Sequence, residues 1–162
     1  MKNYFRKRAE EMSSNLQVAP ELKELIQESI DRYLSQQKQF DLMLSHFDLV
    51  GFGVTFANRQ NQYAVVTRDA SAPGKFRCTF FDARGFFGHS TRDTAVQVLL
   101  ELCQSGYSQI VSENTLQKMT QTPEFILGNE AVALRHAVCE GRLDAAIADE
   151  QYESLKKRLE VA

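Results

Sequence analysis

Apolar spacing changes twice along this chain and marks out three stretches. In the first, Leu22, Ile26, Ile30, Tyr33, Phe40, Leu44 and Phe47 recur at helical spacing behind Pro20. They predict one long amphipathic helix over residues 20–46. Gln37 interrupts the stripe, and the Gln-rich middle (Gln36, Gln37, Gln39) makes a break near residue 38 the alternative. Residues 1–19 are polar and mixed, and predict a flexible N-terminal arm or a short helix anchored by Tyr4 and Phe5.

The period then switches to two. Val50, Phe52, Val54 and Phe56 alternate with Gly51, Gly53 and Thr55, which predicts a strand with one bulky and one bare face. Two glycines on the bare face suggest that something packs close to the backbone there. Turn residues at Asn58–Asn61 lead to a second strand, Tyr63–Arg68. A second turn, Asp69–Lys75, leads to a third, Phe76–Asp82. Connections this short favour an antiparallel meander. Arg84 to Thr91 reads as a glycine-marked loop, with Ser90 or Thr91 capping a helix from Arg92 to Gln104. That helix is apolar over most of its circumference and is expected to be buried on more than one side.

The third stretch is helical. Tyr107–Val111 predicts a short fourth strand, and Ser112 caps a helix reaching Lys118. Thr122-Pro123-Glu124 is a strong helix start, with a cap, an N1 proline and an acidic first turn. Gly128-Asn129 is a candidate interruption before the pattern resumes over Glu130–Cys139. Asp144 or Asp149 starts a last helix, which ends in Lys156, Lys157 and Arg158. The expected fold is therefore α+β: one domain over 1–162, with helices on one face of a small antiparallel sheet of three or four strands.

Composition narrows the function classes. Apolar residues make up 43% and charged residues 25%, ordinary for a globular chain, and the net charge is −2. A strongly basic footprint is excluded for the whole chain but not for a part of it. Between Ala57 and Arg92 lie six basic residues and two acidic ones, a local +4 that leaves −6 elsewhere. Eight of the eleven phenylalanines fall between Phe47 and Phe87. Arginine interleaved with aromatics can hold phosphates and stack bases, although alternation sends side chains to two faces, so the Phe and the Arg need not share a surface. The N-terminus is basic with no apolar run behind it, and no run is long enough to span a bilayer, so a cytoplasmic, membrane-free protein is expected. The odd, scattered cysteines Cys78, Cys103 and Cys139 sit in apolar segments and read as buried thiols.

Specific chemistry is sparse. GxxxxGK[ST] and GxGxxG are both absent, and no cofactor is implied. His136 and Cys139 share i, i+3 spacing, but zinc needs about four ligands, so no metal site is expected. Cys78 with His89 is a nucleophile pair that only spatial assembly could create. The loop is the best candidate: Arg84, His89, Ser90, Thr91 and Arg92 suit an anion at a helix N-terminus. Phe86 and Phe87 stand side by side in it, where a short turn cannot easily bury both. Phe86, Phe87, Arg84, His89 and Arg92 are thus the expected partner-binding residues. The best-fitting reading is a non-enzymatic protein-binding module, regulatory or inhibitory, acting through the sheet and the 84–92 loop. The alternatives are a nucleic-acid binder using 57–92 and an enzyme with a site near His89. The long helix also offers a stripe for a homodimer over 20–47.

Overall fold

The computed structural model describes residues 1–15 and 20–160. Among these are six α-helices and one antiparallel sheet of five strands. Helix α1 spans Tyr4–Asn15 and α2 spans Lys23–Val50, behind a single 3₁₀ turn at Pro20–Leu22. The strands are β1 (Thr55–Ala57), β2 (Tyr63–Arg68), β3 (Phe76–Asp82), β4 (Gly85–Arg92) and β5 (Gln109–Ile110). Helix α3 (Ala95–Gln104) joins β4 to β5, and α4 (Glu113–Thr120), α5 (Pro123–Cys139) and α6 (Ala145–Glu160) follow. The sheet order is β4-β3-β2-β1-β5, a meander with β5 added beyond β1. The fold is the expected α+β.

Helices α2 and α3 cover one face of the sheet. Phe40 and Met43 of α2, Val98, Leu99 and Leu102 of α3, and Phe56, Ala64 and Val66 of the strands are fully buried together. This explains the near-complete apolarity of α3, which touches both α2 and three strands. Burying side chains of this size contributes about 1.5–3 kcal/mol each.

Several expectations are corrected here. Helix α2 is unbroken and runs four residues past His46. It ends at Gly51, whose N–H bonds the Phe47 carbonyl at 2.7 Å. Gly51 and Gly53 have φ of +80° and +92°, so they turn the chain and are not the bare face of a strand. Nothing lies within 4 Å of where their side chains would begin. Regular pairing therefore starts only at Thr55.

Of the two readings of the N-terminal residues, the short helix is the one found, over 4–15. Phe5 packs edge-on to Phe40, with ring centroids 6.0 Å apart, and Ala9 is buried with Ile26 and Ile30. Residues 16–19 lie outside the described residues. The apolar stripe of α2 is thereby used within the chain, along α1 at one end and on the sheet at the other. The argument for a homodimer through 20–47 loses its basis.

Gln37, the misfit in that stripe, is 3% exposed. Its Oε1 accepts from the Arg6 N–H at 3.1 Å, and its Nε2 donates to the Lys2 carbonyl and to Asp41 Oδ1, both at 2.8 Å. A helix start leaves backbone N–H groups without partners. Gln37 supplies one for α1 from the neighbouring helix.

In the C-terminal half, Ser112 and Thr122 cap α4 and α5 by accepting from Thr115 and Phe125 N–H, both at 3.3 Å. Asp144, not Asp149, opens α6, accepting from the Ala146 N–H at 2.8 Å. Gly128-Asn129 does not interrupt α5. Glycine costs a helix about 1 kcal/mol relative to alanine, and here a close contact requires it. A Cβ on Gly128 would fall on the Arg84 carbonyl of the β3–β4 turn. Across the same contact, Gly85 holds φ of +107°, with Asn129 2.8 Å from where its Cβ would stand. Helix α5 is thereby seated on the face opposite α2 and α3, with the Phe125 ring 6.2 Å from that of Phe81.

Candidate interaction cleft

The segment expected to be a loop is the edge strand β4. Gly85–Arg92 carries few strand-favouring residues, yet it pairs with β3 over its whole length. Tertiary pairing overrides the local preference. The helix cap shifts accordingly. Thr94 caps α3 in a reciprocal box, its Oγ1 accepting from Gln97 N–H at 3.2 Å while Gln97 Oε1 accepts from Thr94 N–H at 3.0 Å. Ser90 and Thr91 therefore sit at no helix N-terminus, and the constellation proposed for an anion does not form.

Its members are instead committed within the chain. Thr91 donates to Asp69 at 2.6 Å, and Ser90 lies a long 3.5 Å from Glu101. Arg92 binds Glu101 through two nitrogens at 3.0 Å, and Arg84 binds Asp82 at 3.0 Å. Arg77 reaches Asp69 at 3.3 Å, as Lys75 does Asp93. Arg68 lies 4.9 Å above the Phe52 ring. Of the six basic residues in 57–92, only Arg59 has no such engagement among the described residues. Exposed pairs like these contribute little to stability, but they offset the local positive charge that suggested nucleic acid.

Asp69 is the hub of the polar network at the far end of β3 and β4. The Thr91 hydroxyl and Ser71, with Arg77 behind them, hold its carboxyl well below the usual carboxylate range despite burial. A depressed folded value means that the stability it contributes is present above its ordinary value of 3.8. That contribution is lost as pH falls through the folded value. Thermal midpoints measured from about pH 6 down to about pH 2 should fall on the acid side, and Asp69→Asn should flatten that fall while lowering the midpoint near neutrality. Parallel curves for the two proteins would remove Asp69 as the cause.

The aromatic pair is placed by a register shift. Phe80 pairs with Gly88 and Phe81 with Phe86, so Phe87 is left without a partner in the ladder. The two rings consequently find different neighbours. Phe86 packs on Phe81 and Phe125 at 5.5 and 5.7 Å, while Phe87 stacks on Phe80 at 6.3 Å. Both stay open to solvent, at 42% and 53%.

Beside them is a cleft of about 500 Å³ between β4 and α5. Phe86, Phe87 and Val132 form its apolar wall, Thr79 and Gly88 lie at the strands, and His89, Arg135 and His136 bring basic groups. Of the residues singled out from sequence, Phe86, Phe87 and His89 meet here, whereas Arg84, Ser90, Thr91 and Arg92 do not line it. Val132 and Arg135 of α5 were missed, and His136 was weighed only as a metal ligand. Their only signal was Gly128-Asn129 inside a helical pattern, which marks a close approach of backbone. Asn129 Oδ1 in fact accepts from the Phe86 N–H at 2.9 Å.

Other candidate chemistry disperses. Cys78 pairs with Ser90 and is buried beneath α2 and α3, whereas His89, the next residue along, opens on the opposite face. The sheet separates the two, and burial pushes the Cys78 thiol up to about 12 and that of Cys103 up to about 11. Cys139 is exposed, contrary to the expectation of a third buried thiol. It lines a separate cleft between α5 and α6, so it and His136 face different spaces. Among the described residues no three His, Cys, Asp or Glu side chains gather as metal ligands, and no helix is long and apolar enough to cross a membrane. No family model, curated protein or solved structure matches this chain.

Proposed function

We propose that this chain is a non-catalytic protein-binding module, of the kind that regulates or inhibits a partner, and that it binds through β4 and the adjoining cleft. The observation that carries this reading is the pair of half-exposed rings, Phe86 and Phe87, beside an apolar wall on an edge strand. Exposed aromatics beside a concavity are the usual energetic centres of protein interfaces. The offset charges of 57–92 favour a protein over a phosphate backbone, whose binding needs a run of free cations.

The test is capture of partners from native lysate, with and without nuclease and added salt. Phe87→Ala should lower affinity for the captured protein by about 30-fold, the scale of a hot-spot truncation. Its thermal midpoint should stay near wild type, because the ring is 53% exposed and stacks on Phe80 at the sheet edge. Arg59→Ala, on the far side of the sheet, should capture as wild type does. Undiminished capture by Phe87→Ala overturns the reading, and so does capture that vanishes with nuclease or follows a steep salt dependence.

A further inference from the structure

The cleft also constrains the chemistry of its occupant, granting the reading that Phe86 and Phe87 contact a partner. Strand β4 is terminal in the sheet order, and among the described residues no strand pairs with its outer edge. Such an edge presents main-chain donors and acceptors in a row. One of them is already answered: the Phe86 N–H bonds the Asn129 side chain of α5. An amide oxygen there takes the place a neighbouring strand's carbonyl would hold. Next to that point the cleft between β4 and α5 lies beside Phe87, Gly88 and His89.

Charge supplies the second constraint. Arg135, His89 and His136 line the cleft, and no carboxylate lines it with them. Among the described residues none lies within 4 Å of the Arg135 guanidinium, whereas Arg77, Arg84 and Arg92 each hold one. One arginine charge that no carboxylate answers, flanked by two imidazoles, therefore stands in this cleft. It matches one or two carboxylates and not a chain of phosphates.

We infer that the cleft receives an extended, acidic segment of a partner protein, which adds its main chain to the outer edge of β4 and sets a carboxylate on Arg135 between His89 and His136. Main-chain pairing would give affinity, and the alternate side chains of the segment would meet the phenylalanine wall and the basic groups in turn.

The probes are labelled peptides of roughly ten residues, about the length of a long strand: alternating Val and Glu, alternating Val and Lys, and the Val–Glu peptide N-methylated at every second residue. A thymidine oligonucleotide of similar length completes the set. Wild type should bind the Val–Glu peptide at least about tenfold more tightly than the Val–Lys peptide, and N-methylation should cost about as much. Arg135→Glu, a change at an exposed position, should reverse the preference between the two charges. Equal affinity for Val–Glu and Val–Lys, indifference to N-methylation, tighter binding of the oligonucleotide, or no binding by any peptide would each overturn the inference. Capture from lysate that is lost with Phe87→Ala but untouched by Arg135→Glu would also overturn it, while leaving the Phe87 surface standing.

Discussion

Gly128→Ala is expected to lift α5 off the sheet. Alanine is the better helix former by about 1 kcal/mol, so in an open helix this change would stabilise. Here the new methyl would fall on the Arg84 carbonyl, and main chain stands on both sides of the contact. Neither side can move aside by changing a rotamer. Gly85 faces back into the same junction with φ of +107°, which removes the other means of relief. Overpacking of this kind costs about 1–3 kcal/mol and at times more, enough to exceed the helical gain. A fall in the thermal midpoint of several degrees follows, at roughly 2–4 °C per kcal/mol for a chain of this size. Hydrogen exchange should speed up at the Phe86 amide, which would lose Asn129, and along α5. A variant as stable as wild type, with the Phe86 amide equally protected, would mean that the helix does not bear on that turn.

Gln37→Leu should release α1. Leucine has nearly the right volume for the site but none of its hydrogen bonds. The Arg6 N–H, the Lys2 carbonyl and the Asp41 carboxylate would all lose their partner. Each polar group left without one in a part-buried site costs about 1–3 kcal/mol unless water reaches it. Lys2, Arg6 and Asp41 are themselves exposed, so water answers part of the loss in place; the lost links between α1 and α2 still loosen α1, and that movement would draw Phe5 from its place against Phe40. The expected loss is about 1–3 kcal/mol. It should appear as a lower urea midpoint, with proteolysis between residues 1 and 22 before any cut in the sheet. Unchanged resistance to protease there would show that the hydrophobic contacts alone retain the helix.

Local rules read the elements that local rules determine. The stripe of α2, the caps at Ser112 and Thr122 and the paired strands β2 and β3 all rest on spacing or turn chemistry within a few residues. What escaped depends on residues distant in sequence. Gly85–Arg92 is poor in strand formers and becomes a strand because Phe76–Asp82 lies beside it. Gln37 looked like a flaw because its partners stand 31 and 35 positions away. Gly128-Asn129 looked like a stop because its cause is a turn 43 residues earlier. The alternation of Val50–Phe56 misled for the opposite reason. Its glycines matched a period of two, although their positive φ makes a bend. As for the cleft, Phe86, Phe87 and His89 were found as a cluster along the chain, but the half supplied by α5 exists only after folding.

The register shift at Phe87 has an unusual consequence for how the hairpin tolerates change. Removing one residue from an ordinary strand turns every later side chain to the opposite side. Phe87 is the surplus position of this ladder, so a variant lacking it would keep Phe81 opposite Phe86 and Phe80 opposite Gly88, with His89, Thr91 and Arg92 still in their places. The hairpin can shed this ring by a single-codon deletion at little cost to its architecture, and persistence of the extra residue among descendants of this gene would have to be explained by what the ring touches outside the molecule.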